Sequence, residues 1–276
     1  MLYLLGLAGG LFVFSLSWPS LLGCWVSMEA ANLIILTGFF SYSSAVNRYV
    51  GLMGAVLVSG LSSGALFVGF LSEEFSWLVF IALCLKVGMF PFINWVVIVL
   101  MNSPWLVFYF LASFSKVSLL YFSFILDFAV SALGDSLFVV TFLILILFLL
   151  ERLSGLKMLL TLSSVSTGAL LMLSLGSLGV FSSTLLLVAY FPFSAAFVYV
   201  LSKLEVGPLD GPSATMVSFV LLSTPFSLAV LYKLVGSWLA CHFSFVIVFM
   251  WVVFSCIEFV LLVLWLFEKS SVNEIW

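Results

Sequence analysis

Five ionisable residues, Glu29, Lys86, Lys116, Lys233 and Glu258, sit well inside long apolar runs of the sequence. A Lys or Asp at the centre of a membrane helix raises the insertion free energy by about 2.5–3.5 kcal/mol, so such residues usually face a bundle interior or a hydrated cavity. The chemistry open to them is proton exchange. A desolvated ammonium exchanges its proton nearer neutral pH than one in water, and a neighbouring carboxylate tunes that exchange through its charge. The plainer alternative is that they are ion pairs locking helices together, or side chains snorkelling to an interface. Asp135 is expected at a headgroup boundary, and His242, the single histidine, in a surface loop.

Prolines stand close to two of the lysines. In Leu83-Cys84-Leu85-Lys86-Val87-Gly88-Met89-Phe90-Pro91 the proline has no N–H and so releases the carbonyl of Val87, one residue from Lys86. Pro225 likewise releases the carbonyl of Leu221, ahead of Lys233. Helices broken at the membrane midplane beside ionisable groups are a common construction of ion-coupled transporters. Pro192 is expected to be an ordinary kink.

The elements that must position these groups follow from composition. Of 276 residues, 65% are hydrophobic and 7% charged, with a mean hydropathy of +1.41, which excludes a soluble fold with an ordinary polar surface. Net charge is −3 and no basic run occurs, which argues against nucleic-acid binding. Crossing about 30 Å of hydrocarbon takes roughly 20 apolar residues in a helix that satisfies its own backbone. Such stretches can be drawn at about 1–17, 20–40, 49–71, 76–100, 104–126, 129–150, 155–177, 180–202, 213–235 and 243–267. In that reading Arg48, Arg152, Lys157, Lys203 and Lys269 share the face of the N-terminus, while Glu73, Glu74 and Asp127 lie opposite. Because Lys and Arg mark the side of insertion, both termini are expected on the cytoplasm-like face.

Division near residue 128 gives two five-helix halves, 1–128 and 129–267, with 268–276 as a short polar tail. An odd number of helices per half makes this an inverted repeat with broken fourth and ninth helices. Lys86 then corresponds to Lys233 and Lys116 to Glu258, so Glu258 is expected to balance Lys233. The expected fold is thus an all-α polytopic membrane protein of about ten transmembrane helices. Gly60 and Gly64 fit a face for close helix packing.

Cys24, Cys84, Cys241 and Cys256 lie far apart in apolar runs, with no spacing that would hold zinc or an iron–sulfur cluster, and are expected to be buried small apolar residues. No glycine-rich phosphate loop is present, so nucleotide or flavin chemistry would have to take place elsewhere. The start, Met1-Leu2-Tyr3-Leu4-Leu5, has no basic n-region, so insertion without a cleaved presequence is expected.

The stretch Leu85-Lys86-Val87-Gly88-Met89-Phe90-Pro91-Phe92-Ile93-Asn94-Trp95 resembles the K-[LV]-G-x-x-P-F-x-x-W signature of the antiporter-like chain 2 family of mitochondrial NADH:ubiquinone oxidoreductase, respiratory complex I. Ser115-Lys116-Val117 resembles the lysine segment of that family's next helix, and Ser27-Met28-Glu29 its glutamate-bearing second helix. Leu156 to Val165 resembles its Ser-Ser-containing helix start, and Thr224-Pro225 to Lys233 its Pro-rich segment ending in lysine. The resemblance implies a non-redox, proton-translocating subunit of the membrane arm, multi-pass in the mitochondrial inner membrane with both termini in the matrix. It implies other complex I subunits and phospholipids as partners. NADH, FMN, iron–sulfur clusters and ubiquinone would all reside in partner subunits, with none here. Glu29 would act on the charge of Lys86, while Lys116 and Lys233 would continue a hydrated proton path. The chain departs from the family at Ile93 and Val97–Val99, where His and Glu are common, and at Ser166-Thr167, where a His is common; the family's usual last helix is also not among the drawn spans. A stand-alone cation/proton antiporter and a passive helical scaffold are the alternative functions.

Overall fold

The computed structural model describes residues 2–41, 47–71, 76–122, 133–151, 155–204 and 227–273. The chain is an all-α, multi-pass membrane protein, and every one of the stretches drawn from the sequence contains helix. The helices are α1 (Leu2–Ser15), α2 (Leu21–Thr37), α3 (Arg48–Leu71), α4 (Ser76–Val87), α5 (Ile93–Met101), α6 (Trp105–Ser113), α7 (Val117–Tyr121), α8 (Leu133–Glu151), α9 (Leu156–Ser177), α10 (Val180–Leu204), α11 (Leu228–Ala240) and α12 (Phe245–Asn273). Six of the described helices are long and apolar enough to cross a bilayer by themselves.

Polarity is arranged inside out. Tyr3, Phe181 and Phe245 are almost wholly exposed, and the outer surface is dense in Leu, Val and Phe, as suits contact with acyl chains. By contrast α9, rich in hydroxyl residues, runs through the centre: from Leu156 to Leu175 every residue except Lys157 is buried. It packs against α4, α5, α6, α8, α10 and α11. Its hydroxyls are satisfied locally, as where Ser163 donates to Leu160 O at 3.0 Å and Ser166 to Ser163 O at 2.9 Å. The polar stripe is thereby tolerated in an apolar interior.

Two drawn spans are interrupted next to a lysine. The fourth breaks as expected, although the stop is made by Gly88 ahead of Pro91. Gly88 adopts φ +80, and the N–H groups of Gly88 and Met89 both donate to Cys84 O at 2.9 and 3.0 Å, closing the end of α4 two residues after Lys86. Pro91, in a cis peptide bond with Phe90, lies in the connection to α5. The fifth span, drawn as one helix, is divided by a 3₁₀ turn at Phe114–Lys116. There Ser115 Oγ bonds Leu111 O at 2.5 Å and Ser118 Oγ bonds Ser115 O at 2.7 Å, so hydroxyls engage the carbonyls around the turn.

Other expectations shift. The helix of the tenth span runs on to Asn273, past the drawn end at residue 267. Pro192 lies within a continuous α10. Among the described residues Gly60 and Gly64 pack against no other helix of this chain: a Cβ at either would meet nothing within 4 Å, and α3 turns Gly51, Ala55, Ser62, Leu66 and Gly69 to its neighbours instead. Close approach occurs at Gly168 and Gly236, where a Cβ would lie 2.5 Å from Val87 Cγ1 and 2.3 Å from Trp251 Cζ2. Cys24 and Cys84 are buried, but Cys241 and Cys256 are exposed: one lies in the turn after α11 and the other on an outward face of α12. Glu73, Glu74, Asp127, Arg152, Pro225 and the division at residue 128 lie outside the described residues.

Candidate functional site

The site is a row of three lysines arranged about α9. Lys86, in the last turn of α4, meets Glu29 of α2, with Nζ 2.6 Å from Oε1. The side chains are 14% and 18% exposed, and Nζ also donates to Met28 Sδ at 3.5 Å. At an effective dielectric near 20 the Coulomb attraction at this distance is on the order of 6 kcal/mol before desolvation.

Lys233 of α11 forms the second pair, with Nζ 3.0 Å from Glu258 Oε2 on α12, and it also donates to Ser255 O at 3.3 Å. The inverted-repeat register had suggested Glu258 as the group balancing Lys233, and the two carry opposite charges into direct contact. Glu258 is 5% exposed and Lys233 16%. Beside the pair, α11 and α12 line an open groove that includes Lys233, Ser237 and Ser255.

Lys116 differs from both. It is buried, and its Nζ donates to Ser164 O and Thr167 Oγ1 of α9, each at 2.6 Å. The ammonium also stands 4.2 Å from the centroid of the Tyr190 ring. Among the described residues no carboxylate lies within ion-pair distance of it. Gly168 allows this approach, since its Cα leaves α9 close enough to α4 and to Lys116 Cε for both to fit. Thr167, one of the two residues Ser166-Thr167 noted above, is in direct contact with Lys116.

Lys86 and Lys116 line one cavity of about 90 Å³, together with Asn32, Ser59, Ser62, Ser115, Ser118 and Ser164. That is room for several water molecules, and the lining offers them hydrogen-bond partners. The arrangement can hold a charge at either lysine with polar contacts between the two.

Sequence reasoning did not single out Tyr190 and Tyr232. Both phenols are buried in an aromatic cluster in which the Tyr190 and Tyr232 ring centroids are 5.5 Å apart, and Phe193 stacks on Tyr232 at 5.1 Å. A tyrosine among phenylalanines reads as packing, so only its neighbours in space give it away. His242 is exposed in the turn after α11, edge-on to Trp238 at 5.1 Å. Asp135 is half-buried in the first turn of α8. Among the described residues no three His, Cys, Asp or Glu side chains converge as a metal site.

No family profile matches the chain. No curated protein matches it either. Among solved structures it is similar to a chain in the structure of the Mrp complex from Dietzia sp. DQ12-45-1b, with a TM-score of 0.72 and 16% sequence identity. The match covers 88% of this chain and 55% of that one, so the chain spans about half the length of the solved chain it matches. What this likeness establishes is the fold: a multi-pass helical membrane protein built as a chain of the Mrp complex is built.

Proposed function

We propose that the chain is a proton-translocating, antiporter-like subunit of the membrane arm of respiratory NADH:ubiquinone oxidoreductase. It would carry no redox group and would lie in the mitochondrial inner membrane with both termini on the matrix side. The observation that carries this reading is the series of three lysines within the helices, one buried and two half-buried, with Lys86 and Lys116 sharing a cavity whose largely apolar wall carries Asn32 and several serine hydroxyls. It is supported by the family resemblance around Lys86 and by the shared fold with a chain of the Mrp complex.

On this reading NADH oxidation and ubiquinone reduction in partner subunits supply the driving energy. In this chain, Glu29 and Lys86 form a pair that holds charge while closed. When the pair opens, the Lys86 proton passes through the shared cavity, past its serine hydroxyls, to Lys116, which accepts it without a counter-ion among the described residues. The carbonyl of Ser164 and the hydroxyl of Thr167 orient the Lys116 amine. Lys233 and Glu258 receive the charge farther along the row.

A second reading, a stand-alone cation/proton antiporter, is favoured by the same Mrp likeness. Purification in mild detergent separates the two. The subunit reading expects many different proteins to accompany the chain, and recovery of a functional monomer or homodimer would give preference to the antiporter. Lys86→Met tests the proton role itself, alone and combined with Glu29→Gln so that no carboxylate is left unpaired. Both variants should assemble while proton transport falls at least tenfold, and undiminished transport in the assembled double variant would leave only a scaffold.

A further inference from the structure

The cavity shared by Lys86 and Lys116 is lined by five serines, and each of them already spends its hydroxyl proton on a backbone carbonyl. Ser59 donates to Val56 O and Ser62 to Ser59 O, both at 3.0 Å, Ser115 to Leu111 O at 2.5 Å, Ser118 to Ser115 O at 2.7 Å and Ser164 to Thr161 O at 2.8 Å. Toward the cavity these oxygens can therefore accept hydrogen bonds but not give them. Asn32 is different. It lines the same cavity from α2, one turn beyond Glu29, and its half-buried carboxamide makes no hydrogen bond among the described residues. Two N–H donors and a carbonyl acceptor are thus uncommitted. The adjacent Leu33 is exposed toward acyl chains, where a bare carboxamide would be costly, so the polar surroundings within reach of Asn32 are those of the cavity.

We infer that Asn32 is the residue that holds water between Lys86 and Lys116, a positioning role that rests on the proton-translocating reading above. A volume of about 90 Å³ accommodates several waters, and a water stays in a largely apolar hollow only with two to four polar partners. The serine oxygens can take its hydrogens, but its own oxygen needs a donor. Trp95 also borders the cavity, yet its indole N–H is buried beyond the reach of a water. Apart from the lysines themselves, that leaves the carboxamide of Asn32, and its N–H groups matter most while Lys116 is a neutral amine. With the Glu29 pair open, the Lys86 ammonium gives a proton to the oxygen of the held water, and that water gives one of its own, directly or through the next water, to the Lys116 amine. Lys86 ends as a neutral amine, Lys116 as an ammonium, and water and carboxamide end as they began. Asn32 neither gains nor loses a proton; it fixes where the water sits and which way its hydrogens point.

The test compares Asn32→Leu with Asn32→Ala, in the intact assembly in sealed native membrane vesicles. Proton transport is read with an internal pH dye and normalised to the amount of assembled chain. Leucine keeps the branched outline of asparagine without its polar atoms and dries the wall, whereas alanine leaves a space that another water can take. The water-holding role expects transport to fall at least tenfold in the leucine variant and to run at least threefold faster in the alanine variant than in the leucine one. A packing role expects the reverse order, since alanine opens a hole and leucine fills it. A loss smaller than tenfold with leucine, or an alanine variant less than threefold faster, overturns the inference. So does a leucine variant that assembles poorly but transports normally per assembled chain, which would place the carboxamide against a partner helix instead. Lys86→Met, measured in parallel, keeps the two ideas apart. If it abolishes transport while Asn32→Leu does not, only the role of Asn32 fails, and if it too is without effect, the proton reading itself is lost and this role with it.

Discussion

Replacing Lys116 by Met separates proton exchange from helix fastening more sharply than any other single change. Methionine has similar length, no charge and a flexible chain suited to an irregular site. The substitution removes two short hydrogen bonds from Nζ, to Ser164 O and Thr167 Oγ1, and a contact with the Tyr190 ring. Charge-assisted bonds contribute about 1.5–3 kcal/mol each, and a desolvated cation–π contact about 2 kcal/mol. Against this stands the effective cost of burying one ion, several kcal/mol even after relaxation. With no carboxylate at ion-pair distance among the described residues, the substitution exposes no unpaired counter-charge. The opposing contributions nearly offset, so the variant should melt within about 2 kcal/mol of the unaltered protein and assemble normally. Its proton transport, in sealed vesicles with an internal pH dye, should nevertheless fall by at least tenfold. Transport above half the normal rate in the assembled variant would refute the reasoning, because the central site of the row would then be dispensable.

Glu258→Gln leaves Lys233 charged beside Ser255 O at 3.3 Å, and losing one member of a buried pair costs about 3–5 kcal/mol. Since Lys233 borders an open groove, the loss should lie near 3 kcal/mol, with transport impaired; a melting shift equivalent to less than ~0.5 kcal/mol would show that the pair contributes little. Gly168→Ala places a Cβ 2.5 Å from Val87 Cγ1, so α4 must move away from α9, costing about 1–3 kcal/mol and disturbing the cavity between Lys86 and Lys116. Gly60→Ala, where nothing lies within 4 Å, is the matched control, and equal melting of the two variants would contradict the packing argument.

The lysines were legible because a charge inside hydrocarbon is costly enough to stand out in a sequence that is only 7% charged. Glu29 and Glu258 were legible for the same reason, although their partners in space required the motif and the repeat register. Other features had no such contrast. In a soluble protein apolar means inside, but lipid is as apolar as a protein core, so hydropathy alone could not tell the buried Cys24 and Cys84 from the exposed Cys241 and Cys256. Gly60 and Gly64 misled for a related reason, since small residues mark close packing only when they face another helix. The 3₁₀ turn at Lys116 was hidden because serines such as Ser115 and Ser118 occur in many uninterrupted helices. Tyr190 and Tyr232 were hidden among 31 phenylalanines, where a single oxygen does not alter the pattern.

The difference between Lys116 and the other two lysines bears on why the row exists. Lys86 and Lys233 each meet a carboxylate, at 2.6 and 3.0 Å, and either pair could fasten helices whether or not a proton ever moves. Lys116 fastens nothing by charge: its ammonium is held by a carbonyl, a hydroxyl and the face of a ring. A neutral amine could keep its hydrogen bond to Ser164 O and could accept one from Thr167 Oγ1 if that hydroxyl turned away from the Ser163 and Ser164 carbonyls. A site that suits both protonation states of the same side chain, placed between two sites that each carry their own counter-charge, can be loaded from one side and emptied to the other. A fastening role accounts for the outer pairs and leaves the middle lysine without a purpose, whereas proton exchange gives all three a part in the same movement.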